Sequence, residues 1–319
     1  MKPLAPALLL AAALLPFTAF AAPAAGEGLK GLVVARGACV VAESYAAGAG
    51  AATRFPVYSV AKSVLSLLVG AAIDKGRLRL DETLAEALPE TKNPGADPRL
   101  AQIRVEDLLT MTAGFPRPSP KGGVDPQRVL SERLADAPGQ RFQYGGEGPV
   151  ILVQALSRAL HSPGSVAARE TLFAPLHIQD YRWKADAAGR LSGDTDLELS
   201  VRDMAKMGLL VLNHGGWKGR PLVSAAYIDA ATSPQSAGGP PANAAYGYLW
   251  WAGRTPAGDA AAFAYGIHGQ SLYVVPAQQL VIAVAADDTD DFGLRLAEAL
   301  AARGIAKDAP CLADLEKTP

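Results

Sequence analysis

Ser59-Val60-Ala61-Lys62 stands at the head of the apolar run Val64-Leu65-Ser66-Leu67-Leu68-Val69-Gly70-Ala71-Ala72-Ile73. On a helix, residues three apart share a face, so the Ser59 hydroxyl and the Lys62 amine come within mutual reach. A helix that is apolar nearly all round is normally buried. A lysine held at its first turn loses hydration, which disfavours the ammonium form. A neutral amine can take a proton from serine and turn a weak nucleophile into a useful one. The helix N-terminus adds positive partial charge where an oxyanion would develop. The chemistry expected is acyl transfer through Ser59. By itself S-x-x-K carries little weight, since chance supplies it roughly once in a chain of this length. Ser59 is the only serine with lysine at that spacing, and the buried helix gives the pair its meaning.

The elements that must position this pair are marked along the chain. Gly31 to Tyr45 reads as two short strands around Arg36-Gly37. The helix from Ser59 should stop near Asp74-Lys75-Gly76. Leu78 to Leu88 is a short segment, Asn93 to Pro98 a loop, Ile103 to Thr112 a helix, and Pro116 to Pro126 a surface loop. Apolar helices are expected over Gly148–Leu160, Val166–Phe173 and Leu197–Asn213, the last capped by Ser200. Tyr246–Trp251, Ser271–Val275 and Leu280–Ala286 are strand-like, the last two forming an antiparallel hairpin. Phe292–Arg303 closes the chain as a helix. Strands at both ends and helices between them predict an α/β (α+β) fold: an antiparallel sheet built from both chain ends and flanked by helices, with a mostly helical insertion. The expected units are 22–95 with 214–319 for the sheet, and 96–213 for the helical subdomain.

Residues 1–21 read as a signal peptide. Lys2 is the positive start, Leu8 to Leu15 an uncharged apolar core, and Ala19-Phe20-Ala21 a small-x-small cleavage site. A periplasmic or secreted protein is therefore expected, and no apolar run is long enough to span a bilayer. The chain is 50% hydrophobic and 19% charged, an ordinary globular composition. Its net charge of −1, without a basic cluster, argues against nucleic acid or anionic lipid as partners. Cys39 and Cys311 are either bridged, tying the termini together, or two separate thiols.

Read together, several motifs carry a family likeness. Ser59-Val-Ala-Lys62 is followed by Asp107-Leu-Leu-Thr-Met-Thr-Ala-Gly114 and by Pro138-Gly139-Gln-Arg-Phe-Gln-Tyr144. Leu172-Phe-Ala-Pro-Leu176 and Ser200-Val-Arg-Asp203-Met-Ala205 continue the order. From about Gly31 to Val284 the chain resembles the serine β-lactamase and penicillin-recognising family. Within that group it looks closest to class C-like esterases and aminohexanoate-dimer (nylon oligomer) hydrolases. The resemblance implies a β-lactamase/transpeptidase-like fold, Ser59 as nucleophile, Lys62 as base or relay, and Tyr144 as the second-motif proton shuttle. A phenol near an ammonium would have its pKa lowered, in keeping with that role; the plainer reading of Tyr144 is a core aromatic. The oxyanion hole is expected from the backbone N–H groups of Ser59 and Ile267.

Two departures from the family pattern bear on substrate. Tyr144-Gly145-Gly146 offers no side chain where the second motif usually places asparagine or serine, leaving Gly146 as a backbone contact. The third motif's cation is also missing from Ala264-Tyr265-Gly266-Ile267-His268-Gly269-Gln270. Aligned on Gly266 the position holds Ala264; aligned on Gly269 it holds Ile267, with His268 beside it. Gly266 and His268 are the candidate substrate contacts there. His268 either compensates for the cation or is structural, and Arg254 is a weaker substitute. Without the cation a charge-assisted bond of roughly 1.5–3 kcal/mol to a substrate carboxylate is lost. A neutral small ester or amide is thus a better substrate than a penicillin or a D-alanyl-D-alanine peptide. The remaining alternative is a binding protein that kept the fold and lost turnover.

Other chemistries are poorly supported. The elbow G-x-S-x-G is absent, since Gly269-Gln-Ser271-Leu-Tyr273 fails at its last position. His161, His177, His214 and His268 lack zinc spacing, and no metal or cofactor is expected. Asp287-Asp288-Thr289-Asp290-Asp291 does not match a calcium loop and reads as a solvated turn. The Tyr246–Trp251 aromatics read as sheet core rather than a sugar platform, with one of them a candidate for the pocket lining.

Overall fold

The computed structural model describes residues 28–92, 95–116, 124–187, 189–193, 195–304 and 309–318. The expected signal peptide, positions 93–94 of one expected loop and 117–123 of another lie outside the described residues.

Among those residues nine strands form one antiparallel sheet: β1 (Leu29–Arg36), β2 (Cys39–Tyr45), β3 (Ser236–Gly239), β4 (Ala244–Tyr246), β5 (Trp251–Arg254), β6 (Ala260–Gly266), β7 (Gln270–Val275), β8 (Leu280–Ala286) and β9 (Ala313–Asp314). Their spatial order is β9-β2-β1-β8-β7-β6-β5-β4-β3. The N-terminal hairpin joins the C-terminal meander through β1 and β8, with Leu32 opposite Val284 and Val34 opposite Ile282. The hairpin expected around residues 276–279 is present, closing at Val275 opposite Leu280. The fold is therefore the expected α/β arrangement, with its sheet assembled from both chain ends.

The principal helices are α1 (Val60–Asp74), α2 (Glu147–Ala159), α3 (Val201–Leu212), α4 (Ala225–Ala231) and α5 (Phe292–Arg303). Side chains alternate across a strand, and β7 shows where the covers lie. Leu272 and Val274 meet α3 at Gly208, whereas Ser271 meets Gly293 of α5. The two helices thus cover opposite faces. This double burial explains why β8 is apolar at every position rather than alternating. Helix α1 packs among β6, β7, α2 and α4 and is buried continuously from Val60 to Ala72.

Three elements differ from the sequence reading. Leu197–Ser200, expected as the start of a helix, is a strand paired with Arg54–Pro56, and α3 begins only at Val201. Ser200 does cap α3, accepting from Asp203 N–H at 3.0 Å. Helix α3 falls on the helical side of the expected boundary at 213, yet it packs on β1, β7 and β8. Of the run Tyr246–Trp251, Tyr246 ends β4 and Trp251 begins β5, and 247–250 between them is a turn bent at Leu249 with φ +58°. Strand β6, AAAFAYG, had no strand signature because alanine disfavours strands when exposed; burial from Ala261 to Gly266 overrides that preference.

Cys39 and Cys311 are joined by a disulfide with Cα atoms 5.4 Å apart. The bridge staples β9 to the open edge of β2, where Asp314 lies opposite Cys39. It closes a loop of 272 residues, and cross-links over long loops remove much unfolded-state entropy. Replacing Cys311 with serine is expected to lower the unfolding free energy by about 2–4 kcal/mol. Denaturant titration of wild type, oxidised and reduced, beside Cys311→Ser checks this. An unchanged midpoint would mean that strand pairing alone holds the terminus.

Candidate active site

Ser59 occupies the N-cap of α1, preceded by Tyr58 in a left-handed conformation at φ +46°. A serine at this position normally bonds a backbone N–H of the first turn. Ser59, at φ −65° and ψ −7°, makes no such bond. Its Oγ instead accepts a hydrogen bond from Lys62 Nζ at 3.0 Å. Lys62 is 3% exposed whereas Ser59 is partly accessible, so the hydroxyl is the reachable end of the pair. The helix is fixed along its length. Ser63 Oγ donates to the Leu249 carbonyl at 2.6 Å, and Ser66 Oγ lies 3.1 Å from Tyr227 Oη. Gly70 admits the Tyr227 ring, which a methyl group there would approach to 2.5 Å.

Tyr144 is brought to the same place. Its ring stacks on Trp251 at 5.3 Å with 26° between planes, and Lys62 Nζ stands 5.3 Å from the ring centroid. The loop carrying it hangs from the Asp107–Gly114 segment. Gln143 N–H donates to Met111 O at 2.7 Å, and Gly139 N–H to Thr112 O at 2.8 Å. Gly114, at φ +84°, lies so close to the Asp136 carbonyl that a Cβ would sit 2.3 Å from it. These two motifs are therefore one structural unit that presents the phenol. Gly146, two residues on, is buried and begins α2 as its N-cap. Burial and the neighbouring Tyr144 push the Tyr246 phenol up. Burial, then the Asp290 and Asp291 carboxylates, raise Tyr265. Both shifts favour the protonated phenol, so neither tyrosine is suited to act as a base.

The end of β6 completes the site. A Cβ on Gly266 would lie 2.8 Å from Val57 O and 3.3 Å from Ser59 N. Gly266 is therefore the glycine beside the nucleophile, and Ala264, 1% exposed, occupies the position two residues before it. This geometry decides between the two registers left open by the sequence. Ser59 N borders this contact, and Ile267 is the residue that follows Gly266 in the chain. Ile267 is 45% exposed. His268 is exposed and left-handed, its ring 5.1 Å from that of Tyr58. Arg254 donates to the Gly258 carbonyl at 2.7 Å in its own hairpin turn and lines a separate cavity of about 690 Å³.

Tyr58 and Tyr265 carry no sequence signal, and Trp251 is covered only by the expectation that one aromatic of its run lines the pocket. Trp251 lay within an aromatic run and its role as a backstop for Tyr144 depends on a turn the run did not reveal. Tyr58 adopts a left-handed backbone for which tyrosine has no preference, so no local pattern announced it. The Ser200–Ala205 motif proves structural. Asp203 Oδ2 accepts from Ser200 Oγ at 2.7 Å and Asp203 Oδ1 pairs with Lys206 Nζ at 3.0 Å. Lys206, fully buried, also donates to the His177 carbonyl at 3.2 Å.

A serine–lysine pair at a buried helix start, beside a tyrosine and a strand-end glycine, defines a serine-hydrolase type of site. The chain belongs to the Beta-lactamase family, which matches residues 19–306. It is 25% identical over 277 residues to the 6-aminohexanoate-dimer hydrolase of Paenarthrobacter ureafaciens, covering 78% of this chain and 70% of that protein. The fold is shared with a putative beta-lactamase from Bacteroides dorei, at a TM-score of 0.74, 17% identity, and coverage of 86% and 93%. It is shared too with a D-stereospecific amidohydrolase from Streptomyces sp., at a TM-score of 0.67, 16% identity, and coverage of 82% and 91%. Among the described residues no helix is long and apolar enough to cross a membrane.

Because the space beside Gly266 is filled by backbone, Gly266→Ala must displace the strand end from Ser59. The variant is expected to fold but to react with a fluorophosphonate at least about tenfold more slowly. Labelling kinetics beside thermal melts check this; wild-type labelling would show that the contact is not needed.

Proposed function

We propose that this protein is an exported serine hydrolase cleaving small neutral esters or amides through an acyl-enzyme on Ser59. The observation that carries this reading is the 3.0 Å contact between Lys62 Nζ and Ser59 Oγ at the foot of a buried helix. In the proposed sequence, Ser59 Oγ attacks the substrate carbonyl carbon while its proton passes to Lys62. The carbonyl π pair moves onto oxygen, and the resulting oxyanion is met by the N–H groups of Ser59 and Ile267. Collapse breaks the bond to the leaving alcohol or amine, which receives a proton through the Tyr144 phenol. Water then repeats the attack, releasing the acid and returning the proton to Ser59.

The chemistry of the third motif supports a neutral substrate. Ala264 gives a substrate carboxylate no partner, and Gly145-Gly146 adds no polar side chain. The likeness to an aminohexanoate-dimer hydrolase favours an amide-cleaving capacity. Export is supported by the N-terminal segment together with the Cys39–Cys311 bridge, since disulfides persist in oxidising compartments.

The test is fluorophosphonate labelling followed by substrate screening. Ser59→Ala should abolish labelling, and Lys62→Ala should lower kcat/KM for a p-nitrophenyl ester by about 10²–10⁴-fold. Short p-nitrophenyl esters and anilides should be turned over well, while nitrocefin and a D-alanyl-D-alanine peptide should not. A folded wild-type protein that neither labels nor turns over an activated ester would instead support a binding protein on this fold.

A further inference from the structure

The acidic run 287–291 does more than solvate the turn after β8. It packs against Ile267–Gly269, the turn that follows Gly266 beside Ser59 and carries the N–H proposed above as an oxyanion donor. Within that turn His268 is left-handed, at φ 62° and ψ 21°, a conformation uncommon for L-residues. Both of its backbone polar groups are tied down. Its N–H donates to Asp290 Oδ1 at 2.9 Å, and its carbonyl lies 3.3 Å from Gln270 Nε2 and 3.5 Å from Asp288 N. Gln270, 2% exposed, anchors this arrangement by donating from the same Nε2 to the Ala286 carbonyl at 2.6 Å. The start of α5 closes on the far side, where a Cβ at Gly293 would fall 2.1 Å from Gly269 O. Asp291 is drawn away to Arg295, 2.7 Å distant, leaving Asp290 as the carboxylate on the turn.

Asp290 accepts the His268 N–H, and the neighbouring Ile267 follows the Gly266 that abuts Ser59 N and carries the N–H proposed above as an oxyanion donor. We propose that Asp290 is a positioning residue, which with Gln270 locks the His268 peptide and so aims Ile267 N–H at the oxyanion of the reaction proposed above. This inference rests on that reading of Ser59. It assigns to the side chain of an exposed aspartate a role in transition-state geometry, with no contact to substrate. An oxyanion donor acts mainly on the transition state, so its misalignment lowers kcat while leaving KM nearly unchanged.

The experiment uses the purified full chain with p-nitrophenyl acetate as substrate, fluorophosphonate labelling, and an arylboronic acid as tetrahedral mimic. Asp290 is exposed, so Asp290→Ala should keep the wild-type melting temperature within a few degrees. It is expected to lower kcat about tenfold, with KM within about twofold and boronate affinity falling in parallel with kcat/KM. Asp290→Asn retains an acceptor oxygen and should recover most of the activity. Asp287→Ala, which removes an exposed carboxylate 4.0 Å from Lys30, should behave as wild type. Wild-type kcat in Asp290→Ala, an Asn variant as impaired as the Ala variant, or a loss confined to KM would each overturn the inference while leaving Ser59 chemistry intact. Wild-type protein without Ser59-dependent labelling would overturn both.

Discussion

The start of α1 and the end of β6 meet at Gly266 with no room for a side chain between them. Everything at the site depends on this junction. On one side stand Ser59 and Lys62, fixed because the helix behind them is buried for three and a half turns' worth of apolar residues, roughly at 3.6 per turn. On the other stands the turn with Ile267. The two halves are far apart in sequence and are joined by the pairing of β1 with β8 and by the packing of α1 on β6 and β7. The sheet built from both chain ends is thus the condition for the site, and the Cys39–Cys311 bridge secures the outermost strand of that same assembly.

Tyr144 reaches the junction by a different route. Its loop is suspended by backbone hydrogen bonds from Met111 and Thr112, and its ring is held flat by Trp251 on β5. The helical part of the chain therefore contributes one phenol, and the sheet contributes the surface on which that phenol rests. In the proposed reaction a nucleophile from one element, a proton carrier from a second and a backbone donor from a third can be adjusted separately. That division fits a family in which one fold hosts several activities.

The central pair was legible because its logic is local. Three-residue spacing on an apolar helix fixes which side chains meet, and the same reasoning located α2, α5 and the β7–β8 hairpin. What the sequence concealed was set by distant packing. Strand β6 is alanine-rich, and its pairing depends on neighbours that bury it rather than on its own propensity. Leu197–Ser200 reads as the front of an apolar helix, but Arg54–Pro56 captures it as a strand. The register of the third motif stayed open for the same reason, since only the approach to Ser59 distinguishes Gly266 from Gly269. The pairing of Cys39 with Cys311 likewise required the termini to be seen side by side.

Electrostatics around the junction extends the argument from the missing cation. Lys62 is in contact with Ser59, and beyond the turn that follows Gly266 lie the carboxylates of Asp288, Asp290 and Asp291. Arg295 and Lys30 offset part of this charge at the margins. An incoming carboxylate would approach this acidic flank, whereas a neutral or amine-bearing molecule would not be repelled. The neutral acyl donor proposed above thus draws on two features, Ala264 in place of a cation and the acidic flank beyond the turn. In the proposed reaction a single cluster of aspartates thus bears both on the turn that carries Ile267, through the Asp290 contact to His268, and on the substrate charge that can approach.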